Sequence, residues 1–148
     1  LDVVGSIEVS DGIYIGGTGD ANKLDDYEEG TWTPGVNQGT INNAGAHYIK
    51  VGNKVTIWAS IDTFSNRTST ETLEVSSLPF SIASQNQNKV VGSIIINYSD
   101  KLVHAAYTRN ASEIAFYISI ASGYVPLKFN DLNNSGSHII FTATYEAA

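Results

Sequence analysis

The sequence predicts an all-β protein, a jelly-roll-like β-sandwich behind a short β-stem, and three observations carry that expectation. From His47 onward apolar residues recur at every second position, the period of a strand with one buried face. Seven or eight such segments are separated by Gly, Asn, Asp and Ser clusters, with no long stretch of helical periodicity between them. Charge also divides the chain. Residues 1–29 hold eight of the fifteen acids and one base, Lys23, so the net charge of −7 sits in the first fifth while residues 30–148 are balanced. A solvated acidic stem and junction over 1–29 and a folded β domain over 30–148 would divide in this way.

In the first segment Gly5, Ile7 and Val9 alternate with Ser6, Glu8 and Ser10, Asp11-Gly12 signals a turn, and Ile13-Tyr14-Ile15 reads as a short strand. One small strand pair cannot bury its apolar face alone. Val3, Ile7, Val9, Ile13 and Ile15 therefore call for partners outside the segment. The chain opens in mid-pattern at Leu1-Asp2-Val3-Val4, as a piece of a longer protein would. Asn22 to Glu29 suits a single helical turn with Asn22 or Asp25 as N-cap and acids at its positive end, stopped by Gly30. Thr31-Trp32-Thr33-Pro34 then reads as an edge strand, the place a sheet tolerates proline. Residues 35–45, rich in Gly and Asn, read as a loop.

His47 to Val51 and Val55 to Asp62 flank Gly52-Asn53, a strong hairpin signal. A two-residue turn puts Tyr48 and Lys50 on the face of Val55, Ile57, Ala59 and Ile61. A three-residue turn with a bulge puts Ile49 and Val51 there, and this is the expectation because it leaves Lys50 in water. In either register Trp58 lies on the opposite face, with Thr56 and Ser60. Further strands are expected over Glu71–Ser76, Val90–Tyr98, Leu102–Arg109, Glu113–Ile120 and Ser137–Tyr145, joined by turns at Ser99-Asp100, Asn110-Ala111-Ser112 and 130–136.

Gly16-Gly17-Thr18-Gly19, then Ala21-Asn22, then Leu24-Asp25-Asp26-Tyr27-Glu28-Glu29-Gly30-Thr31-Trp32-Thr33-Pro34 resembles the junction before the distal domain of many bacteriophage tail fibre proteins. Tyr48-Ile49-Lys50-Val51-Gly52-Asn53-Lys54-Val55-Thr56-Ile57 and Leu78-Pro79-Phe80 are similar to two further landmarks of those domains. These landmarks span residues 16 to 80; the C-terminal half carries no diagnostic motif. The resemblance implies a homotrimer at the tip of a virion's tail fibre, with a trimeric β-stem and a domain that meets the bacterial surface. The expected partners are two further copies of the chain, the rest of the fibre, and a bacterial surface polysaccharide or lipopolysaccharide.

Composition and motifs narrow the chemistry. A pI near 4.7 with only eight bases argues against binding nucleic acid, and no apolar run approaches the roughly 20 residues of a membrane-spanning helix. With no Cys there is neither a disulfide nor a thiolate site. Gly16 to Lys23 lacks the third Gly of a dinucleotide fingerprint and the Gly-Lys-Ser/Thr of a phosphate loop. The acids at 25–29 lack the EF-hand spacing, and His47, His104 and His138 lie on separate strands without zinc spacing. No cofactor or metal is expected. No Gly-x-Ser-x-Gly elbow is present, and no acid pair is identifiable by sequence as a glycosidase pair, so a non-enzymatic adhesin is the expectation. Its rivals are a purely structural fibre or capsid-decoration domain and a fragment of a polysaccharide-degrading tailspike.

The candidate ligand residues are the tyrosines in or beside loops, Tyr98, Tyr107 and Tyr124, since aromatic faces stack on sugar rings and the phenol bonds through its tip. Asn66, Arg67, Asn86, Gln87 and Asn88 are their expected hydrogen-bonding neighbours. Trp58 joins the stem residues as a candidate subunit contact, because its neighbours on the strand already supply the core face.

Overall fold

The computed structural model describes residues 4–5, 8–19, 23–24, 26–87, 89–133 and 136–148. Val3, Ile7, Asn22, Asp25 and Asn88, named above, lie outside the described residues. The described chain is all-β: β1 (Ile13–Tyr14), β2 (Lys23–Leu24), β3 (Tyr27–Thr31), β4 (Gly35–Val36), β5 (Asn42–Val51), β6 (Lys54–Asp62), β7 (Glu74–Ser76), β8 (Val91–Asn97), β9 (Ala105–Thr108), β10 (Ile114–Ile120), β11 (Gly123–Pro126) and β12 (His138–Glu146), with 3-10 turns at Ser84–Asn86 and Phe129–Asp131. β1 pairs with β2. The rest form one antiparallel sheet in the order β3-β5-β6-β12-β8-β9-β10-β7-β4, with β11 on the side of β10.

The sheet curls until its inner faces meet. β10 and β12 are separated by two strands along the sheet, yet Phe116 and Phe141 pack edge to face with ring centroids 5.3 Å apart. Between them lie alternating apolar stripes expected from the sequence: Val55, Ile57, Ala59 and Ile61 from β6; Ile139, Phe141, Ala143 and Tyr145 from β12; Ile114, Phe116 and Ile118 from β10, while Ile120, expected to continue the last stripe, is exposed. Leu73, Leu127 and Phe129 close the core from loops. Burying one such Leu, Ile or Phe is worth about 1.5–3 kcal/mol, enough to fix the strand register, since a one-residue slip would send every stripe to water.

Curling requires a place where one strand changes partners, and β8 supplies it. Ser93–Asn97 pair with β12, while Val91 and Gly92 pair with β9. At that corner the backbones touch: a Cβ on Gly92 would stand 1.9 Å from the Thr142 carbonyl oxygen. Only glycine allows this approach.

Several sequence expectations are corrected. The turn at Gly52-Asn53 has two residues, with Val51 opposite Lys54 and Lys50 opposite Val55. Gly52 takes a φ of +57° and Asn53 is not among the positive-φ residues, the pattern of a type II′ turn, whose twist matches a hairpin. Lys50 therefore points to the inner side. It is buried there because Asp26 and Glu28 pair with its ammonium group and the Phe80 ring lies 5.4 Å from it.

Those acids lie in the stretch expected to make a helical turn, whose described residues from Tyr27 onward form a strand instead. Tyr27–Thr31 pair rung by rung with Val51–His47, and a five-residue ladder outweighs a single capped turn, so β3 runs through the expected seam between residues 29 and 30. The expected edge strand stops at Thr31. Trp32 is buried, its backbone N–H donating to the Ala46 carbonyl (3.1 Å) and its indole N–H to the His47 carbonyl (3.2 Å). The expected loop 35–45 contains β4 and the start of β5. Ile13-Tyr14 finds its partner in Lys23-Leu24, beyond the Gly-rich segment.

Candidate functional site

Residues opposite each other on antiparallel rungs share a face. Because Ile114, Phe116 and Ile118 point inward from β10, the intervening Ala115, Tyr117 and Ser119 point outward. Ala115 lies opposite Glu74 of β7 and Tyr107 of β9; Tyr117 lies opposite Ala105 and Pro126; Ser119 lies opposite Tyr124 of β11. Three tyrosines thus gather on one outer face, spaced by small residues.

Their rings interlock. Centroid separations are 4.7 Å for Tyr107–Tyr117, 5.0 Å for Tyr117–Tyr124 and 6.3 Å for Tyr107–Tyr124, with interplanar angles of 69°, 82° and 46°. These lie in the favourable range for aromatic pairs. With Val91, His104, Ala105 and Ser119 they line a shallow cavity of about 190 Å³. Tyr124 forms its exposed wall, 62% accessible.

Arg109, just past β9, anchors the cluster from one side. Its Nη1 donates to the Tyr117 hydroxyl (3.2 Å) and its Nε reaches Glu74 Oε1 (3.1 Å). The Tyr117 hydroxyl and then Glu74 hold the guanidinium more firmly charged than usual. Burial, with Glu113 second, pushes the Glu74 carboxyl up. Burial, then Tyr124, pushes the Tyr107 phenol up, so it stays protonated at any physiological pH. A Tyr117 hydroxyl that accepts from Arg109 keeps its own proton to donate. The face therefore offers apolar ring surfaces edged by phenol, serine and imidazole groups.

Of the tyrosines picked out by sequence, Tyr107 and Tyr124 come together here, Tyr107 on β9 within the expected strand Leu102–Arg109 and Tyr124 on the short strand β11. Tyr117 was missed. Its signal was its place in the alternation Ile114-Phe116-Ile118, on the outward side. Tyr98 is not in the cluster. It holds a φ of +52°, its carbonyl accepting from Ser137 Oγ (2.8 Å) and from the Asn133 N–H (3.0 Å).

Three of the expected hydrogen-bonding neighbours carry bonds within the fold. Asn66 Oδ1 accepts from the backbone N–H groups of Thr68 and Ser69 (3.1 Å each). Asn86 Oδ1 accepts from the Glu146 N–H (2.8 Å), and Gln87 Nε2 donates to the Ile82 carbonyl (3.2 Å). Arg67 is exposed.

A second outer face has a different character. Across β6, β12 and β8, Trp58, Ile140 and Ile95 are 37%, 45% and 68% exposed. Trp58 does lie opposite the Val55-Ile57-Ala59 stripe and stacks on His47, centroids 5.7 Å apart. In the N-terminal segment Val9, Ile13 and Ile15 are also exposed. The histidines stay dispersed, His138 Nε2 lying 2.7 Å from Ser60 Oγ and His104 at the tyrosine cavity. No group of three metal-ligating side chains occurs among the described residues.

A scan against protein-family models finds no match to this chain, and searches of the curated proteins and of the solved structures find none either.

Proposed function

We propose that this chain is the distal domain of a phage tail fibre, a non-enzymatic homotrimeric adhesin that attaches the virion to a bacterial surface saccharide. The observation that carries the binding half is the tyrosine platform of Tyr107, Tyr117 and Tyr124. Stacking faces beside hydroxyl donors suit sugar rings, which present C–H surfaces and hydroxyls together. The trimer half is supported by the resemblance of residues 16–80, by the exposed stem residues Val9, Ile13 and Ile15, and by the apolar face around Trp58. Three platforms on one tip turn weak single-site binding into avidity, a gain of about 10²–10⁴ where geometry allows simultaneous contact.

A purely structural fibre domain is the second reading, favoured by the commitment of the Asn66, Asn86 and Gln87 amides to the fold. One experiment separates them. Labelled wild-type domain should coat some strains in a panel of bacteria with differing surface polysaccharides, and Tyr124→Ala should lose at least about tenfold of that binding while its melting curve stays within a few degrees. A wild-type domain that coats no strain, or a folded Tyr124→Ala variant that coats as well, leaves the structural reading.

A further inference from the structure

Arg109, the cation bonded to the tyrosine platform, is already engaged by neighbours of its own. Arg109 is held by its Nη1 on Tyr117 and by its Nε on Glu74. Glu113 also acts on it, and Glu71 acts on Glu74. One guanidinium thus faces two carboxylates, Glu74 in direct contact and Glu113 nearby. The β-ladder brings this corner close to the rings: Glu74, Ala115 and Tyr107 lie on one continuous rung of β7, β10 and β9. Arg109 ties the two together, touching the Tyr117 hydroxyl at 3.2 Å and Glu74 at 3.1 Å, and salt screens exposed charges only beyond roughly 8 Å at physiological ionic strength.

The remaining edge groups, Ser119, the phenols and the His104 imidazole, offer hydrogen bonds. The cavity of about 190 Å³ is smaller than the roughly 300–1,000 Å³ that enclose a drug-sized ligand. It holds one ring, with its neighbours in the chain left in solvent.

From this geometry we infer that the platform takes uncharged pyranose rings and turns away rings that carry carboxylate or phosphate. The inference rests on the saccharide reading above and names its ligand class. Selection comes from a desolvating aromatic floor that welcomes a C–H face, together with a carboxylate excess that repels an anion.

The test is an array of bacterial oligosaccharides, some built from neutral hexoses and N-acetylhexosamines, others from the same backbones bearing uronate or phosphate. Binding is read at about pH 8, above the ordinary histidine range near 6.5, and at low salt, where repulsion is least screened. Neutral members should bind at least about tenfold better than their acidic counterparts. Glu74→Gln should narrow that ratio several-fold by removing one carboxylate, and Glu113→Gln provides the same reading should the first variant fold poorly. Equal or better binding of acidic glycans, or a ratio that neither substitution moves, overturns the inference while leaving the platform in place. Binding of neither class overturns the platform itself.

Discussion

Gly92→Ala tests the corner on which the whole sheet turns. The added methyl would stand 1.9 Å from the Thr142 carbonyl oxygen, 2.9 Å from its carbonyl carbon and 3.0 Å from the Ala143 Cα. All three are backbone atoms of β12, which cannot retreat. Its other flank is paired with β6 along the full length from His138 to Glu146, and Thr142 Oγ1 donates to the Ile57 carbonyl at 2.9 Å. Overpacking ordinarily costs about 1–3 kcal/mol and more where nothing yields, so a loss of about 3 kcal/mol is expected. At about 2–4 °C per kcal/mol for chains near this size, the melting temperature should fall by about 6–12 °C. The assay is thermal melting by circular dichroism at fixed protein concentration, which matters if the chain self-associates. Gly52→Ala is the companion variant: a Cβ there meets nothing within 4 Å, so only the φ of +57° resists it and the loss should be smaller. The sign is decisive, since alanine in an unhindered strand position should stabilise by about 0.4–1 kcal/mol through the unfolded chain. A Gly92→Ala protein that melts at or above wild type would refute the account of the corner.

Two further outcomes follow from the surfaces. Light scattering at micromolar concentration should give a trimer mass for wild type, and the double variant Ile95→Lys with Ile140→Lys should dissociate it without loss of β-sheet signal; a wild-type monomer removes the trimer from the proposal. Glu146 carries a pH signature, its carboxyl held below the ordinary glutamate range by the Lys54 ammonium first and the Gln85 amide next. A lowered folded pKa gives stability that is full above about pH 4.5 and lost as the pH falls through the folded value. Urea midpoints of Glu146→Gln between pH 7 and 3 should therefore decline less steeply than wild type, and equal slopes would count against this pairing.

What the sequence made legible was the part governed by local period. The stripes of β6, β10 and β12 were readable because one face of each is buried and the repeat is two. What it hid depended on distant partners. Lys50 argued for a bulged turn only while its companions were unknown. Asp26 and Glu28, brought alongside by β3, neutralise it and make the two-residue turn acceptable. The same pairing puts Tyr27–Glu29, expected in a helical turn, into a strand. β2 and β11 are too short for any pattern to declare them. The tyrosine platform was half visible: aromatic chemistry singled out Tyr107 and Tyr124, but only the rungs linking β9, β10 and β11 show that Tyr117 lies between them. The amides of Asn66, Asn86 and Gln87 looked available because sequence does not reveal which backbone groups a loop must satisfy.

The platform is tested most directly by watching its rings. With ring-labelled tyrosine, nuclear magnetic resonance of the domain titrated with neutral surface oligosaccharides from a strain it coats should show saturable shifts for Tyr107, Tyr117 and Tyr124. Tyr27 and Tyr98, outside the cluster, should stay unmoved. Shifts confined to Tyr98, or none at concentrations that block cell coating, would contradict the account.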